Sequence, residues 1–173
     1  MTTPILELLQ QQLVPAGDSS AVAAPVRALG IAHGVLVLEL DAAALLPVVQ
    51  RLRDEFAFDL FLDVTAVDWP DAPLRFEVVY HFYSMTHKVR VRLKVRVSEG
   101  HPIVDSLIGL YGSAHYMERE CHDMYGIEFR GNHDLRPILL YEGFVGHPLR
   151  KDYPKQKEQP LVPYRPPQSA LVR

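Results

Sequence analysis

Cysteine is nearly absent: Cys121 is the only one in 173 residues. A lone cysteine excludes an intramolecular disulfide and a self-contained iron–sulfur cluster, which takes about four thiolates. Long apolar runs are absent too. No stretch approaches the roughly 20 apolar residues that span a bilayer. The opening MTTPILELLQQQ has neither the basic n-region nor the apolar length of a signal peptide. The chain is therefore expected to be soluble and cytoplasmic, and to meet a membrane only through something else. Positive charge is not in excess. With 18 Lys and Arg against 21 Asp and Glu the formal net charge is −3, which argues against nucleic acid as the main ligand. No P-loop, dinucleotide fingerprint, internal repeat or G-x-S-x-G elbow occurs.

What is present is an ordinary globular composition, 48% hydrophobic and 23% charged, in a length that makes one domain the default. TPILELLQQQL places Ile5, Leu6, Leu9 and Leu13 on one helical stripe. A small-residue loop follows through Gly17 and Pro25. HGVLVLEL (33–40) reads as a strand, and Asp41 as the N-cap of a helix running to about Phe56 with Leu45, Val48, Val49 and Leu52 inward. DLFLDVTAVDW (59–69) reads as a second strand, closed by Pro70. LRFEVVYHFYS (74–84) and HKVRVRLKVRV (87–97) alternate like two long strands joined by a short Met85-Thr86 link. Short helices are expected near 104–111 and 114–125, broken by Gly112. After Phe129 periodicity is lost, and half of the 14 prolines fall between Gly131 and Arg173. The expected fold is α+β: a small mixed or antiparallel sheet with flanking helices over residues 1–129, then an extended Pro/Gly-rich docking arm over 130–173.

Three places carry charge in a pattern. Lys88, Arg90, Arg92, Lys94 and Arg96 alternate with valines and leucine. A basic strand could bind an acidic partner or a phosphate backbone, but no aromatics interleave the cations, and the row reads as the wet face of a half-buried sheet. On the helix SAHYMERECHDMYG, the inward stripe is Ala114, Met117, Cys121, Met124 and Tyr125, with His115, Glu118 and His122 on a polar face. Those three invite a stand-alone metal-dependent enzyme. The two histidines, however, lie about 10.5 Å apart along the axis at ~1.5 Å per residue, and Glu118–His122 and Arg119–Asp123 read as simple i,i+4 pairs. Cys121 reads as a buried thiol. The third place is GIEFRGNHDLRPILLYEGFVGHPLRKDYP. Hydrolase pairs His133–Asp134 or His147–Asp152 have no nucleophilic serine nearby, since none precedes Ser169 in the arm. The segment is too apolar for a disordered tail, and reads as a strap that packs partly on its own domain and partly on another subunit.

The stretch Glu118–Pro154 resembles the 30 kDa-type subunit of the proton-pumping NADH:quinone oxidoreductase, respiratory complex I. The matching pieces are ERE (Glu118, Arg119, Glu120), DMYGI from Asp123, DLR from Asp134 to Arg136, and HPLRKDYP: His147, Pro148, Leu149, Arg150, Lys151, Asp152, Tyr153 and Pro154. DLFLDVTAVDW and the two long strands are also similar, so the likeness covers roughly residues 30–155. Two departures stand out. His122 replaces an aromatic residue, as in related subunits of membrane-bound hydrogenases and other membrane-bound dehydrogenases, and GNHDLRP replaces G-H-P-D-L-R-R. The resemblance implies a non-catalytic subunit of the hydrophilic arm on the cytoplasmic side of the membrane. Such a subunit carries no cofactor or metal itself, while the complex as a whole uses FMN, iron–sulfur clusters and a quinone. It packs against the large quinone-site subunit, contacts no nucleic acid, and touches the membrane only through the complex. The residues of the motif are then partner-binding, with carboxylates or carbonyls of the partner expected to satisfy Arg150 and Lys151.

Overall fold

A computed structural model describes residues 4–14 and 26–156. The small-residue loop through Gly17 and Pro25, and arm residues 157–173, lie outside the described residues. Helix α1 (Pro4–Leu13) buries Leu6, Leu9 and Leu13. Strands β1 (Val26–Ala32) and β2 (Val35–Leu40) form an antiparallel hairpin. Its two-residue turn is His33-Gly34, both at positive φ (51° and 75°), as the strand twist requires. The sequence pattern places His33 in the strand and gives no sign of β1. Gly30 (φ 112°) breaks the alternation of β1 at a bulge between Ala28 and Gly30, and histidine is an unusual residue for such a turn.

A 3-10 turn (Ala42–Ala44) leads into α2 (Leu45–Asp54), which buries Leu45, Val48, Val49 and Leu52 as the spacing predicts. Asp41 makes no side-chain cap; its carbonyl accepts the Ala44 N–H at 2.9 Å. Strands β3 (Leu60–Asp68), β4 (Phe76–Ser84) and β5 (Val89–Val97) complete a five-stranded sheet in the order β1-β2-β5-β4-β3. All neighbours are antiparallel except β2 and β5. The β4–β5 loop is longer than Met85-Thr86. Ser84 pairs with Val89, and Lys88 leaves the strand at φ 55°, its N–H bound to the Ser84 carbonyl.

The alternation puts Leu36, Leu38, Val64, Phe76, Val78, Tyr80, Phe82, Val91, Leu93 and Val95 on one face, in a single core with the buried residues of α1, α2 and α3 (Ala114–Tyr125). Transfer of such side chains from water stabilises by about 1.5–3 kcal/mol each before entropy is counted. Residues 104–111 do not form a helix. Ile103–Asp105 is a short strand, β6, paired in parallel with β7 (Glu128–Arg130). The Leu107 N–H that a helix would use donates instead to Glu118.

The outer face of the sheet is not simply wet. Lys94 pairs with Glu77 at 2.7 Å, and Arg96 pairs with Glu77 at 3.0 Å and Glu39 at 3.2 Å. Arg27 also pairs with Glu39. Glu77 lies directly across from Arg96 on the neighbouring strand, so cross-strand acids rather than solvent neutralise this end of the basic row.

Candidate interaction site

Helix α3 ends at Gly126 (φ 73°), whose N–H caps the His122 carbonyl at 2.7 Å. A helix terminus leaves further carbonyls without partners inside the helix, and HPLRKDYP supplies their donors. His147 Nδ1–H donates to the Asp123 carbonyl at 2.9 Å. The Leu149 N–H donates to the Met124 carbonyl at 3.2 Å. Arg150 Nε–H donates to the Tyr125 carbonyl at 2.6 Å, and its guanidinium lies 4.9 Å over the Phe76 ring. A cation at this helix end also meets the negative pole of the helix dipole. Burial lowers the pKa of His147, so the neutral Nδ1–H tautomer suffices for its bond.

The next residues reach the sheet. The Lys151 N–H donates to Asp68 Oδ2 at 2.7 Å, and the Lys151 ammonium lies 5.5 Å over Trp69. Asp152 pairs with Arg75 at 2.9 Å. Arg75 in turn grips Asp68 with two bonds of 2.8 and 2.9 Å and reaches Glu99 at 2.6 Å. Arg75 and Asp68 are both buried. The Arg75 guanidinium holds the Asp68 and Asp152 carboxyls below their ordinary range, and the two aspartates raise Arg75.

Earlier in the arm, one carboxylate holds a whole turn. Asp123 is buried, and its Oδ2 accepts the N–H groups of Ile138, Leu139 and Leu140 at 2.7, 3.0 and 3.4 Å. Arg119 binds the carbonyls of Arg136 and Pro137 at 2.9 and 3.1 Å. Arg136 grips Asp134 with two bonds of 2.7 and 2.8 Å, and this holds the Asp134 carboxyl far below the usual carboxylate range. Glu118 is 0% exposed. It accepts the Leu107 N–H at 2.7 Å, the Ser106 hydroxyl at 2.7 Å and the Asn132 amide at 3.0 Å, while burial raises its pKa. Glu120 is exposed. The aromatic side of the arm closes on itself: Phe144 stacks on Tyr153 at 6.0 Å and meets Tyr141 edge-on at 5.5 Å.

Several sequence expectations are corrected by this geometry. Arg150 is satisfied by a carbonyl of its own chain rather than of a partner, and the Lys151 backbone by Asp68. Glu118–His122 and Arg119–Asp123 are not helix pairs. His122 Nδ1–H donates to the Ile127 carbonyl at 2.9 Å, and all four side chains serve the loops that cover α3. His115 stacks on His133 at 5.8 Å, while His122 turns to the Ile127 carbonyl. Among the described residues no group of three His, Cys, Asp or Glu is placed to hold a metal. The hydrolase pairs do not form either, since Asp134 and Asp152 are held by arginines. Asp68, Arg75, Ser106 and Asn132 join the site without having stood out in the sequence. Gly126 belongs to the matching piece DMYGI, and the structure shows why glycine stands there: a Cβ would lie 2.4 Å from His147 Nε2 and 2.6 Å from Arg150 Nη2.

The arm thus leaves apolar side chains outward on a pinned backbone: Leu139 and Val145 are 61% and 63% exposed, and Leu149 is 51% exposed. The model of the family described as respiratory-chain NADH dehydrogenase, 30 Kd subunit, matches residues 38–159. The chain belongs to that family. It is 42% identical over 158 residues to the C subunit of the NADH-quinone oxidoreductase of Xanthobacter autotrophicus, a match spanning 86% of this chain and 75% of that one. Among solved structures, a trypsin-resistant fragment of Nqo5 matches with TM-score 0.59 and 26% identity, over 76% of this chain and 96% of the fragment. A chain of a membrane-bound sulfane sulfur reductase, an archaeal respiratory membrane complex, shares the fold. Its TM-score is 0.71 at 22% identity, over 88% of this chain and 85% of that one. The family match covers the whole clasp between α3, Asp68, Arg75 and the arm. No helix among the described residues is long and apolar enough to cross a membrane.

Proposed function

We propose that the chain is a non-catalytic structural subunit of the hydrophilic arm of a proton-translocating NADH:quinone oxidoreductase. It sits on the cytoplasmic side of the membrane and is held there by the complex. It packs against the large subunit that helps form the quinone site, and so supports electron transfer from NADH to quinone. The flavin, the iron–sulfur clusters and the quinone belong to other subunits. Residues 130–173 are its docking arm.

One observation carries this reading. Most of the residues that match the family's motifs fold the arm onto α3 and the sheet, and they leave Leu139, Val145 and Leu149 on the surface. A segment already fixed in shape loses little entropy when it docks, and isolated exposed leucines on a rigid loop suit a partner's apolar groove. In this reading the charged residues of the motif shape the surface, and the apolar residues touch the partner.

The test is to tag the chain in its native host and identify the co-purifying proteins. NADH- and flavin-binding subunits are expected with the large subunit. Leu139→Glu with Val145→Glu is expected to cut recovery of the large subunit at least about tenfold, a change of ~1.4 kcal/mol, and to leave the melt of the chain unchanged. A wild-type chain that purifies alone and turns over NADH with quinone overturns the reading. His122 favours a second reading, the equivalent subunit of a membrane-bound hydrogenase or another membrane-bound dehydrogenase. Hydrogenase-type partners in the same purification would select it.

A further inference from the structure

The basic row on the outer face of the sheet divides in two. At one end Lys94 and Arg96 are neutralised by Glu77 and Glu39. At the other, the side chains of Arg90 and Arg92 form no ion pair or hydrogen bond among the described residues, and the Arg92 Nε–H is buried without a partner. Arg92 lies at the middle of β5, between His81 on β4 and Val37 on β2, and Arg90 lies between Tyr83 and Val35. Val37 is only 7% exposed. His81 brings no acid: burial and the neighbouring Arg92 lower its pKa. The nearest acid in register is Asp63, on the far side of His81, about 10 Å from β5 by the spacing of strands.

A buried guanidinium N–H without an acceptor is a feature that native interiors rarely tolerate. The chain outside the described residues supplies little to meet it: Asp18 in 15–25, and Glu158 among Lys157, Arg165 and Arg173 in 157–173. A neighbouring subunit can supply the acceptor. Two guanidiniums on alternate positions of one strand, flanked by Tyr83 and valines, suit a carboxylate carried by a polypeptide better than a free ion. Guanidinium and carboxylate match in planar geometry, and the part-exposed Val35 and Tyr83 offer apolar contact beside them.

We propose that the outer sheet face around Arg90 and Arg92 is a second docking surface, which receives an acidic segment of a neighbouring subunit and binds one of its carboxylates. This rests on the chain being a subunit of a larger assembly. The surface lies on the face of the sheet opposite the core that the arm covers, so the subunit is gripped from two sides.

The experiment uses the native complex carrying Arg92→Lys, treated with a water-soluble carbodiimide. This reagent joins an amine to a carboxylate in contact with it and leaves arginine untouched. A cross-link from position 92 to an Asp or Glu of another subunit, absent in the wild type, is expected; Lys94 to Glu77 serves as the internal control. Arg90→Glu with Arg92→Glu is expected to lower recovery of that subunit at least tenfold at moderate salt, with an unchanged melt of the isolated chain. Normal recovery of the reversed variant without any cross-link from position 92 overturns the proposal while leaving the assembly role intact. A cross-link to Asp18 or Glu158 of the same chain also overturns it. If even the wild-type chain recovers no partner, the assembly role fails and this surface with it.

Discussion

Arg150 Nε and the Tyr125 carbonyl are joined at 2.6 Å, so the arginine in the middle of HPLRKDYP closes the last turn of α3. A hydrogen bond to a charged donor contributes about 1.5–3 kcal/mol, and the guanidinium also covers Phe76. Arg150→Ala should therefore destabilise the isolated chain by about 2–3 kcal/mol. Arg150→Lys should cost part of that, because an ammonium lacks the planar fork. Urea unfolding of the two variants checks this. Wild-type midpoints for both would mean that Arg150 acts only on a partner.

Gly126 is the hinge of the same joint. Alanine there meets an unfavourable φ of 73° and drives its Cβ against His147 and Arg150. The left-handed conformation alone costs about 1–2 kcal/mol, and displacing HPLR uncaps α3 as well. Gly126→Ala should lower stability by more than about 2 kcal/mol and speed proteolysis within 138–154. A thermal melt with timed trypsin digestion reads both. An unchanged digestion pattern would show that the arm is held without α3.

How much of this was legible beforehand depends on the range of the contact. The alternation of Val89 to Val97 and the stripe Leu45, Val48, Val49, Leu52 report local burial, and both elements stand where the pattern puts them. Strand β1 was hidden because Gly30 and its bulge break the period. Helix α3 was legible as a helix, and Ala114 and Cys121 of its inward stripe are in the core, but its polar face was misread. Glu118 and Asp123 look solvent-facing on a wheel, yet both are buried. Their partners lie up to 17 residues away, in loops with no period of their own. The family resemblance marked those residues as partner-binding, and in the structure they hold loops of their own chain. Local spacing favours ion pairs within the helix, and backbone amides of a distant loop outcompete them once that loop covers the helix.

Asp123 makes that competition measurable. Three backbone N–H groups converge on its Oδ2, and leaving buried donors unpaired costs about 1–3 kcal/mol. Asp123→Ala should raise the exchange rates of the 138–140 amides at least about tenfold, a loss of ~1.4 kcal/mol of local protection. Asp123→Asn should do less, since its amide oxygen still accepts. Hydrogen exchange followed by mass spectrometry on peptides covering 136–142 gives the answer. Equal rates in all three proteins would mean that the turn is fixed by other contacts.

The clamp at Arg75 should set the acid limit of the fold. Asp68 and Asp152 both have carboxyls lowered by Arg75. A folded-state pKa below the unfolded value adds stability that is fully present above the ordinary carboxylate range, near 4, and is lost as pH falls through the lowered value. Glu118 has the opposite sign. Burial raises it, so its contribution is fully present below that range and is lost as pH rises through its folded value. Stability should therefore fall as pH drops from about 4 toward 2, beginning where the arm meets the sheet. Asp152→Asn removes one of the two titrating partners and should make the acid limb shallower. Glu118→Gln should leave the acid limb of Asp68 and Asp152 in place and reduce the loss of stability as pH rises above the ordinary carboxylate range. Urea midpoints measured every half pH unit separate the two limbs. An acid limb equally steep in wild type and Asp152→Asn would place the acid-sensitive joint elsewhere than at Arg75.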